Sequence, residues 1–324
     1  MDELKKEEIF STLNRVNKVI NNHYLIKGLS EFVEIKTAVV GGAVRDLYLN
    51  KPIKDIDISI SLDFTKNLKV EYPKRENYRY NHDMDYDREF WDCATAEATA
   101  LKHRNYQIIE KLKTSEYSIL HEFLEKDKDD LRAIDAIVFL IRKIIEENKD
   151  YSITQIFDKT TVEILVDKPK LNDIPYENMG LCAVIALKDK HTNYPIELLF
   201  TTDQPTFFIE CFDFNICKIH MENIDDEPVI IPSSKFLKDI ENKTITYTPP
   251  QDVDEKKINK SLLVRYERFE KKFPDFKLEF ELKDIVDDLK ILIERTVSAI
   301  NLSKELKSDS LSTLEKKAKK TVKI

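Results

Sequence analysis

The stretch AVVGGAVRDLYLNKPIKDIDISI, residues 38–60, contains two of the four glycines in this 324-residue chain, side by side as Gly41 and Gly42. An apolar run precedes the glycines, and a helix-like pattern follows them as far as the turn at residues 50–52. The segment KDIDISIS then alternates polar and apolar residues, as a strand with one buried face does. The stretch therefore predicts a strand, a glycine turn, a helix and a second strand in direct succession.

Asp55 and Asp57 are expected on the same face of the second strand, because side chains two positions apart in a strand point the same way. Neighbouring carboxylates resist joint ionisation unless a cation lies between them, and Mg²⁺ prefers such oxygen ligands. For an isolated Asp-x-Asp, a solvated edge strand is the commoner explanation. Here Gly41 and Gly42 also let the backbone approach a ligand, and the next helix N-terminus favours phosphate. The pattern predicts a phosphate-facing turn beside a two-metal site for phosphoryl transfer, with Mn²⁺ as an alternative ion.

The spacing G-G-x-V-R-D, a short helix and K-D-x-D-I resembles the head motif of class II nucleotidyltransferases in the DNA polymerase beta superfamily. These are the CCA-adding enzymes and bacterial poly(A) polymerases, and the resemblance covers residues 40–58. It implies an α/β (α+β) head with a mixed sheet and an enzyme that uses two Mg²⁺ ions. On this resemblance the NTP-facing residues are Gly41, Gly42, Arg45 and Asp46, and the catalytic metal ligands are Asp55 and Asp57.

Three later segments resemble further parts of the same family. Glu197 in YPIELLFT resembles the third carboxylate of the superfamily, although an exposed acid on a strand is the alternative. FDFNICKIH resembles a segment that seats the nucleotide, in which Asp213 matches but residues 211–212 replace two arginines. SLLVRYERFEKKFPDFKLEF resembles a later segment, with Arg265 and Arg268 in its arginine positions. The resemblance implies that Asp213, Arg265 and Arg268 are NTP-binding residues.

One device of the family is missing from the sequence. An E-D-x-x-R pattern reads the incoming base in the resembling enzymes, but Ile258, Asn259 and Leu262 occupy those positions here. Two apolar side chains and one amide cannot reproduce that hydrogen-bonding edge. We therefore expect relaxed NTP selection, or selection by groups outside this segment.

The organisation along the chain predicts a head at residues 1–250, interrupted by an all-helical insertion at about 71–150. Long helical patterns mark the insertion, one over about 88–112 and a second ending near residue 148. A small helical C-terminal region is expected at 251–324, after a proline pair. Strand-like patterns follow the insertion at TTVEILVD, LCAVIALKD, YPIELLFT and TFFIECFDFNICKIHM.

Composition limits the class of protein. A hydrophobic content of 42% with 35% charged residues is typical of a globular protein, and the net charge of −8 excludes a uniformly basic surface. No apolar run is long enough for a membrane span, and the N-terminus lacks the pattern of a secretory signal. We expect a cytoplasmic protein with reduced cysteines, from a bacterial or phage-infected cell.

The leading functional hypothesis is transfer of a nucleoside monophosphate from an NTP to an RNA 3′ end, in tRNA or another RNA, with release of pyrophosphate. A toxin-like or regulatory enzyme that modifies tRNA acceptor ends or a protein hydroxyl is the alternative. A third hypothesis is a non-catalytic RNA- or partner-binding module on the same fold. The helical insertion is then the candidate surface for a protein partner.

Overall fold

A computed structural model of the chain describes residues 2–65, 67–70, 85–116, 121, 123–124, 133–158, 181–248, 265 and 268–280. The helices are α1 (Glu3–Asn22), α2 (Tyr24–Leu29), α3 (Gly42–Tyr48), α4 (Asp85–Lys113), α5 (Ala133–Glu147), α6 (Pro205–Glu210) and α7 (Ser234–Asn242). The strands are β1 (Glu34–Val40), β2 (Ile56–Asp63), β3 (Tyr151–Asp158), β4 (Leu181–Asp189), β5 (Ile196–Thr201), β6 (Ile219–Ile224), β7 (Glu227–Pro232), β8 (Thr244–Tyr247) and β9 (Lys277–Phe280). The predicted strand TTVEILVD and the base-reading positions Ile258, Asn259 and Leu262 lie outside the described residues.

Seven strands form a mixed sheet in the order β3-β4-β5-β2-β1-β6-β7. Strands β2 and β5 are parallel, and the other neighbours in this sheet are antiparallel. The glycine-containing stretch supplies the two central strands β1 and β2, with α3 between them. This architecture confirms the predicted α/β head with a mixed sheet.

The alternation in β2 gives the sheet two different faces. Ile56, Ile58 and Ile60 are fully buried on the face that α1 and α5 cover. Burial of an isoleucine side chain contributes about 1.5–3 kcal/mol, so this face anchors the sheet. Asp57 and Ser59 point to the opposite face, where α6 packs over β1 and β6. The polar face of β2 is therefore the one available for chemistry.

The described part of the predicted insertion is helical and packs into the core of the head. Ile137 and Ile141 of α5 are fully buried. Arg104 of α4 is buried and donates from Nη1 to the carbonyl oxygens of Glu31 and Phe32, at 3.1 Å each. These contacts attach α4 to the turn that leads into β1. None of the helices in the described ranges combines the length and apolarity needed to cross a membrane.

Two secondary-structure predictions are wrong in part. The beginning of TFFIECFDFNICKIHM forms α6 instead of a strand, because Pro205 occupies its first turn and supplies a helical φ. Within the C-terminal region, predicted to be helical, β9 pairs in parallel with the open edge of β8. The amide of Lys277 also donates to the Lys243 carbonyl at 2.9 Å, which begins this pairing.

Candidate functional site

The sheet register brings the three predicted carboxylates together. Asp57 and Glu197 are direct cross-strand partners on the parallel strands β2 and β5, so their side chains lie on the same face. Asp55 lies immediately before β2, and its carboxylate accepts a hydrogen bond from Lys54 Nζ at 3.1 Å. The sequence had placed Asp55 and Asp57 together, and the structure adds Glu197 beside Asp57.

The electrostatics of this cluster are unfavourable as long as all three groups are ionised. Burial, together with the charges of Asp55 and Glu197, raises the pKa of Asp57 to about 8, against the opposing effect of Lys54 and Arg45. Partial desolvation, followed by the charge of Asp55, also raises the pKa of Glu197. An added cation would relieve the repulsion, which makes this cluster a candidate metal centre.

The carboxylate oxygens of this cluster are suitable ligands for Mg²⁺, although the three side chains do not converge on a single metal position. Among the residues that the structure describes, no three acidic, histidine or cysteine side chains are arranged as a complete metal site. Mg²⁺ does not require one, because it commonly takes one or two carboxylates and completes its shell with water and substrate phosphates. Asp55 and Asp57 would hold such an ion, with Glu197 next to them.

The glycine turn lies directly beside this cluster, because Val40 at the end of β1 pairs with Asp57. Gly41 has φ 66° and ψ −120°, a conformation that side chains strongly disfavour, and its amide donates to the Ile219 carbonyl at 2.9 Å. A Cβ at Gly41 would also stand 3.0 Å from the Phe212 ring. A Cβ at Gly42 would meet only Arg45 Nη2, at 3.8 Å. The fold therefore requires glycine at position 41 but not at position 42.

Arg45 and Asp46, expected to face the NTP, are buried and bonded to each other. Nε and Nη2 of Arg45 each lie 2.8 Å from Asp46 Oδ1, and Nη1 lies 3.2 Å from the Cys217 sulfur. The Arg45 guanidinium also lies over the ring of Phe269, 5.2 Å from its centre. These side chains join α3 to the C-terminal segment.

Asp213 and Arg265, both predicted as NTP-binding residues, form an ion pair with each other. Asp213 is buried, and the Arg265 guanidinium lies 4.9 Å from the centre of the Phe214 ring. Arg268 is exposed on the next turn of this segment. The structure therefore brings Asp213 and Arg265 together.

Two lysines near the site were not singled out from the sequence. Lys218 is buried, and its Nζ donates to the Glu210 carbonyl at 2.8 Å. The next residue in the chain is Ile219, whose carbonyl accepts the hydrogen bond from the Gly41 amide. A charged residue inside the apolar run CKIHM was the available signal. Lys272 bonds the Asp46 carboxylate across 226 residues of sequence. No local pattern could have indicated that contact.

Several solved structures resemble the fold at low sequence identity. The Thermotoga maritima CCA-adding enzyme complexed with tRNA is 13% identical, with 89% of this chain and 45% of that chain covered and a TM-score of 0.39. A CCA-adding enzyme in its apo form is 14% identical, with 91% and 43% covered and a TM-score of 0.38. A tRNA nucleotidyltransferase with primer tRNA and an ATP analogue is 13% identical, with 85% and 49% covered and a TM-score of 0.35. This chain thus spans less than half the length of each.

No curated protein sequence matches this chain significantly. The family model of the poly A polymerase head domain matches residues 37–135. The matched segment contains the glycine turn and both Asp55 and Asp57, and it ends before Glu197. Residues 37–135 are therefore similar to the poly A polymerase head domain, in agreement with the resemblance found in the sequence motif.

Proposed function

We propose that this protein transfers a nucleoside monophosphate from an NTP to the 3′ end of an RNA. The observation that carries the proposal is the pairing of Asp57 with Glu197 beside Asp55, one strand away from the Gly41-Gly42 turn. The 3′ oxygen bonds to the α-phosphorus, the bond from that phosphorus to the β-phosphate bridging oxygen breaks, and pyrophosphate leaves. The proton of the 3′ hydroxyl passes to water.

The acidic cluster supplies the ligands for the metal ions in this reaction. Asp55 and Asp57 hold Mg²⁺, and Glu197 assists from the neighbouring strand. Bound Mg²⁺ supplies charge neutralisation for the phosphates and a lower pKa for the attacking hydroxyl. The raised pKa values of Asp57 and Glu197 support this role, because two acids kept close together at a cost to stability are typical of functional sites.

The glycine turn supplies the surface for the phosphates. Gly41 bends the backbone at the end of β1, and the absence of a side chain on Gly42 leaves the backbone open in front of the turn. Because Val40 pairs with Asp57, phosphates at this turn lie next to the metal-holding acids. Catalysis then consists mainly of positioning the two substrates and neutralising their charge.

An RNA acceptor is supported by the family match and by the C-terminal sequence. The matching family is that of the poly A polymerase head. Residues 301–324 carry seven lysines and only three acidic residues, although the whole chain has a net charge of −8. Such a local basic segment suits contact with a phosphate backbone.

A second acceptor class is supported by two departures from the resembling enzymes. The base-reading positions are occupied by Ile258, Asn259 and Leu262, and Cys211 and Phe212 replace two arginines. Transfer of a nucleotide to a tRNA acceptor end or a protein hydroxyl group without building a defined sequence would need less base reading. A purely binding function gains no support from the repelling acids at Asp55 and Asp57.

Incubation of the purified protein with each α-labelled NTP, Mg²⁺ or Mn²⁺, total RNA and total protein tests the proposal. We expect label in RNA from the wild type and none from the Asp55→Asn/Asp57→Asn variant, with melting temperatures equal or slightly higher in the variant. Glu227→Gln, an exposed acid on β7, is the matched control and should transfer normally. Label in protein alone would favour the second acceptor class. No transfer by the wild type, or equal transfer by the double variant, would refute the metal assignment.

A further inference from the structure

We propose that Lys272 is a positioning residue for the active site, a role that rests on the proposed nucleotidyl transfer. Its ammonium group connects the C-terminal segment (residues 265 and 268–280) to the loop at residues 49–55, which lies between α3 and strand β2 and carries Asp55. The C-terminal segment thereby becomes a part of the catalytic head.

Lys272 Nζ makes two contacts that lie on either side of one loop. It bonds the carboxylate of Asp46, in α3, and it donates to the carbonyl oxygen of Pro52 at 2.9 Å. Asp46 follows the glycine turn on α3, and Pro52 lies just before Asp55. One ammonium group therefore fixes the distance between the element that faces phosphate and the element that holds the metal.

The loop depends on such an external contact because it has little structure of its own. Residues 51–55 form neither helix nor strand, and Pro52 and Lys54 are exposed. The amide of Lys51 donates to the Asp46 carbonyl at 2.7 Å, which holds only the beginning of the loop. The bond from Lys272 to Pro52 holds the loop three residues before Asp55.

Asp46 is a strong anchor for this lysine. Its Oδ1 accepts from Arg45 and its Oδ2 from Lys272, so the two cations share one buried carboxylate. Removing one partner of a buried charge pair is costly, because the remaining charge cannot return to water. Phe269 and Phe273, on the same segment as Lys272, are buried, so the segment that carries this lysine is anchored in the core.

Loss of Lys272 should affect turnover more than substrate binding. The glycine turn stays in place without it, because the Gly41 amide is bonded to Ile219 in the sheet. Asp55, in contrast, follows the released loop. A misplacement of about 1 Å at a reacting group costs up to about 100-fold in rate, so we expect kcat to fall about 10–100-fold with KM for the NTP little changed.

The experiment compares Lys272→Met, Lys272→Arg and Lys271→Met in the full-length chain. Lys271 is the adjacent, exposed lysine and serves as the matched control. Steady-state kcat and KM, melting temperature, and hydrogen exchange of residues 49–55 are measured for each. We expect lower kcat and faster exchange of the loop in Lys272→Met, recovery in Lys272→Arg, and wild-type behaviour in Lys271→Met.

Hydrogen exchange separates failure of this proposal from failure of the proposed function. If the wild type transfers no nucleotide but Lys272→Met still exposes the loop, the contact exists and the proposed reaction is wrong. If the wild type is active and Lys272→Met matches Lys271→Met in kcat and in loop exchange, Lys272 has no positioning role. A parallel loss of kcat and melting temperature without faster loop exchange would also overturn the proposal, because it would indicate a general structural defect.

Discussion

At the level of single residues, the buried position of Asp57 opposes ionisation of its carboxyl group. Its pKa is raised from 3.8 to about 8, so between these pH values the folded protein binds this proton more tightly than the unfolded chain. The free energy of unfolding of the metal-free protein should therefore be highest below about pH 4 as far as this group is concerned, and fall as pH rises through about 8.

Thermal melts in a chelator across this pH window test that linkage. We expect the wild-type melting temperature to fall toward pH 8 more steeply than that of Asp57→Asn, which should be the more stable protein at the alkaline end. Glu227→Gln, at an exposed position of the edge strand β7, should follow the wild-type curve. Parallel curves for the wild type and Asp57→Asn would show that Asp57 ionises normally in the folded state.

The acidic residues of the site were predictable because a strand fixes side-chain direction two residues at a time. Asp55 and Asp57 needed only that rule, and Glu197 needed the family pattern. The orientation of Arg45 was not predictable, because its partners Cys217 and Phe269 come from distant parts of the sequence. Buried charge pairs of this kind depend on tertiary packing, which no local pattern contains.

At the level of elements, the two glycines in the turn between β1 and α3 have different roles. The fold requires Gly41, whereas it has room for a side chain at position 42. Gly41→Ala should lower the free energy of unfolding by about 1–3 kcal/mol, because its positive φ and the nearby Phe212 ring both oppose a side chain. Gly42→Val should retain most of the stability but weaken NTP binding, because the new side chain occupies the space proposed for phosphates.

Urea unfolding and equilibrium NTP binding of the two variants provide the measurement, with Gly28→Ala as a control. A Cβ at Gly28 meets nothing within 4 Å, and its position in α2 is helical, so that variant should fold and bind NTP normally. Wild-type NTP affinity in Gly42→Val would mean that the phosphates bind elsewhere.

Helices and strands were predicted best where the residue composition and the hydrophobic periodicity of a segment indicated the same type of element. The alternation of KDIDISIS gave β2, and helical spacing gave α4 and α5. The run TFFIE was ambiguous because a short apolar segment fits a helix or a strand. Here Pro205, immediately before the run, favours the helix. Strand β9 was missed because its stability comes from pairing with β8, a partner outside its own segment.

For the whole molecule, the placement of residues 265 and 268–280 bears on the predicted division of the chain at the proline pair. The proline pair at 249–250 was interpreted as the end of the head, but Phe269 and Phe273 are buried in the core that contains the sheet. The ring centres of Phe269 and Phe214 are 4.8 Å apart. The described C-terminal segment therefore shares its core with the head, and the two should unfold together.

Phe269→Ala in the full-length chain tests this shared core. Removal of a buried phenylalanine ring costs about 3–5 kcal/mol, and here it also removes the aromatic face beneath Arg45. We expect circular dichroism to show one cooperative urea transition with a lower midpoint and a free energy of unfolding reduced by that amount. Lys271→Ala, on the exposed side of the same turn, should unfold as the wild type does. If Phe269→Ala left the main transition unchanged and only a minor early transition moved, the segment would be an independent unit, and the division at the proline pair would be correct.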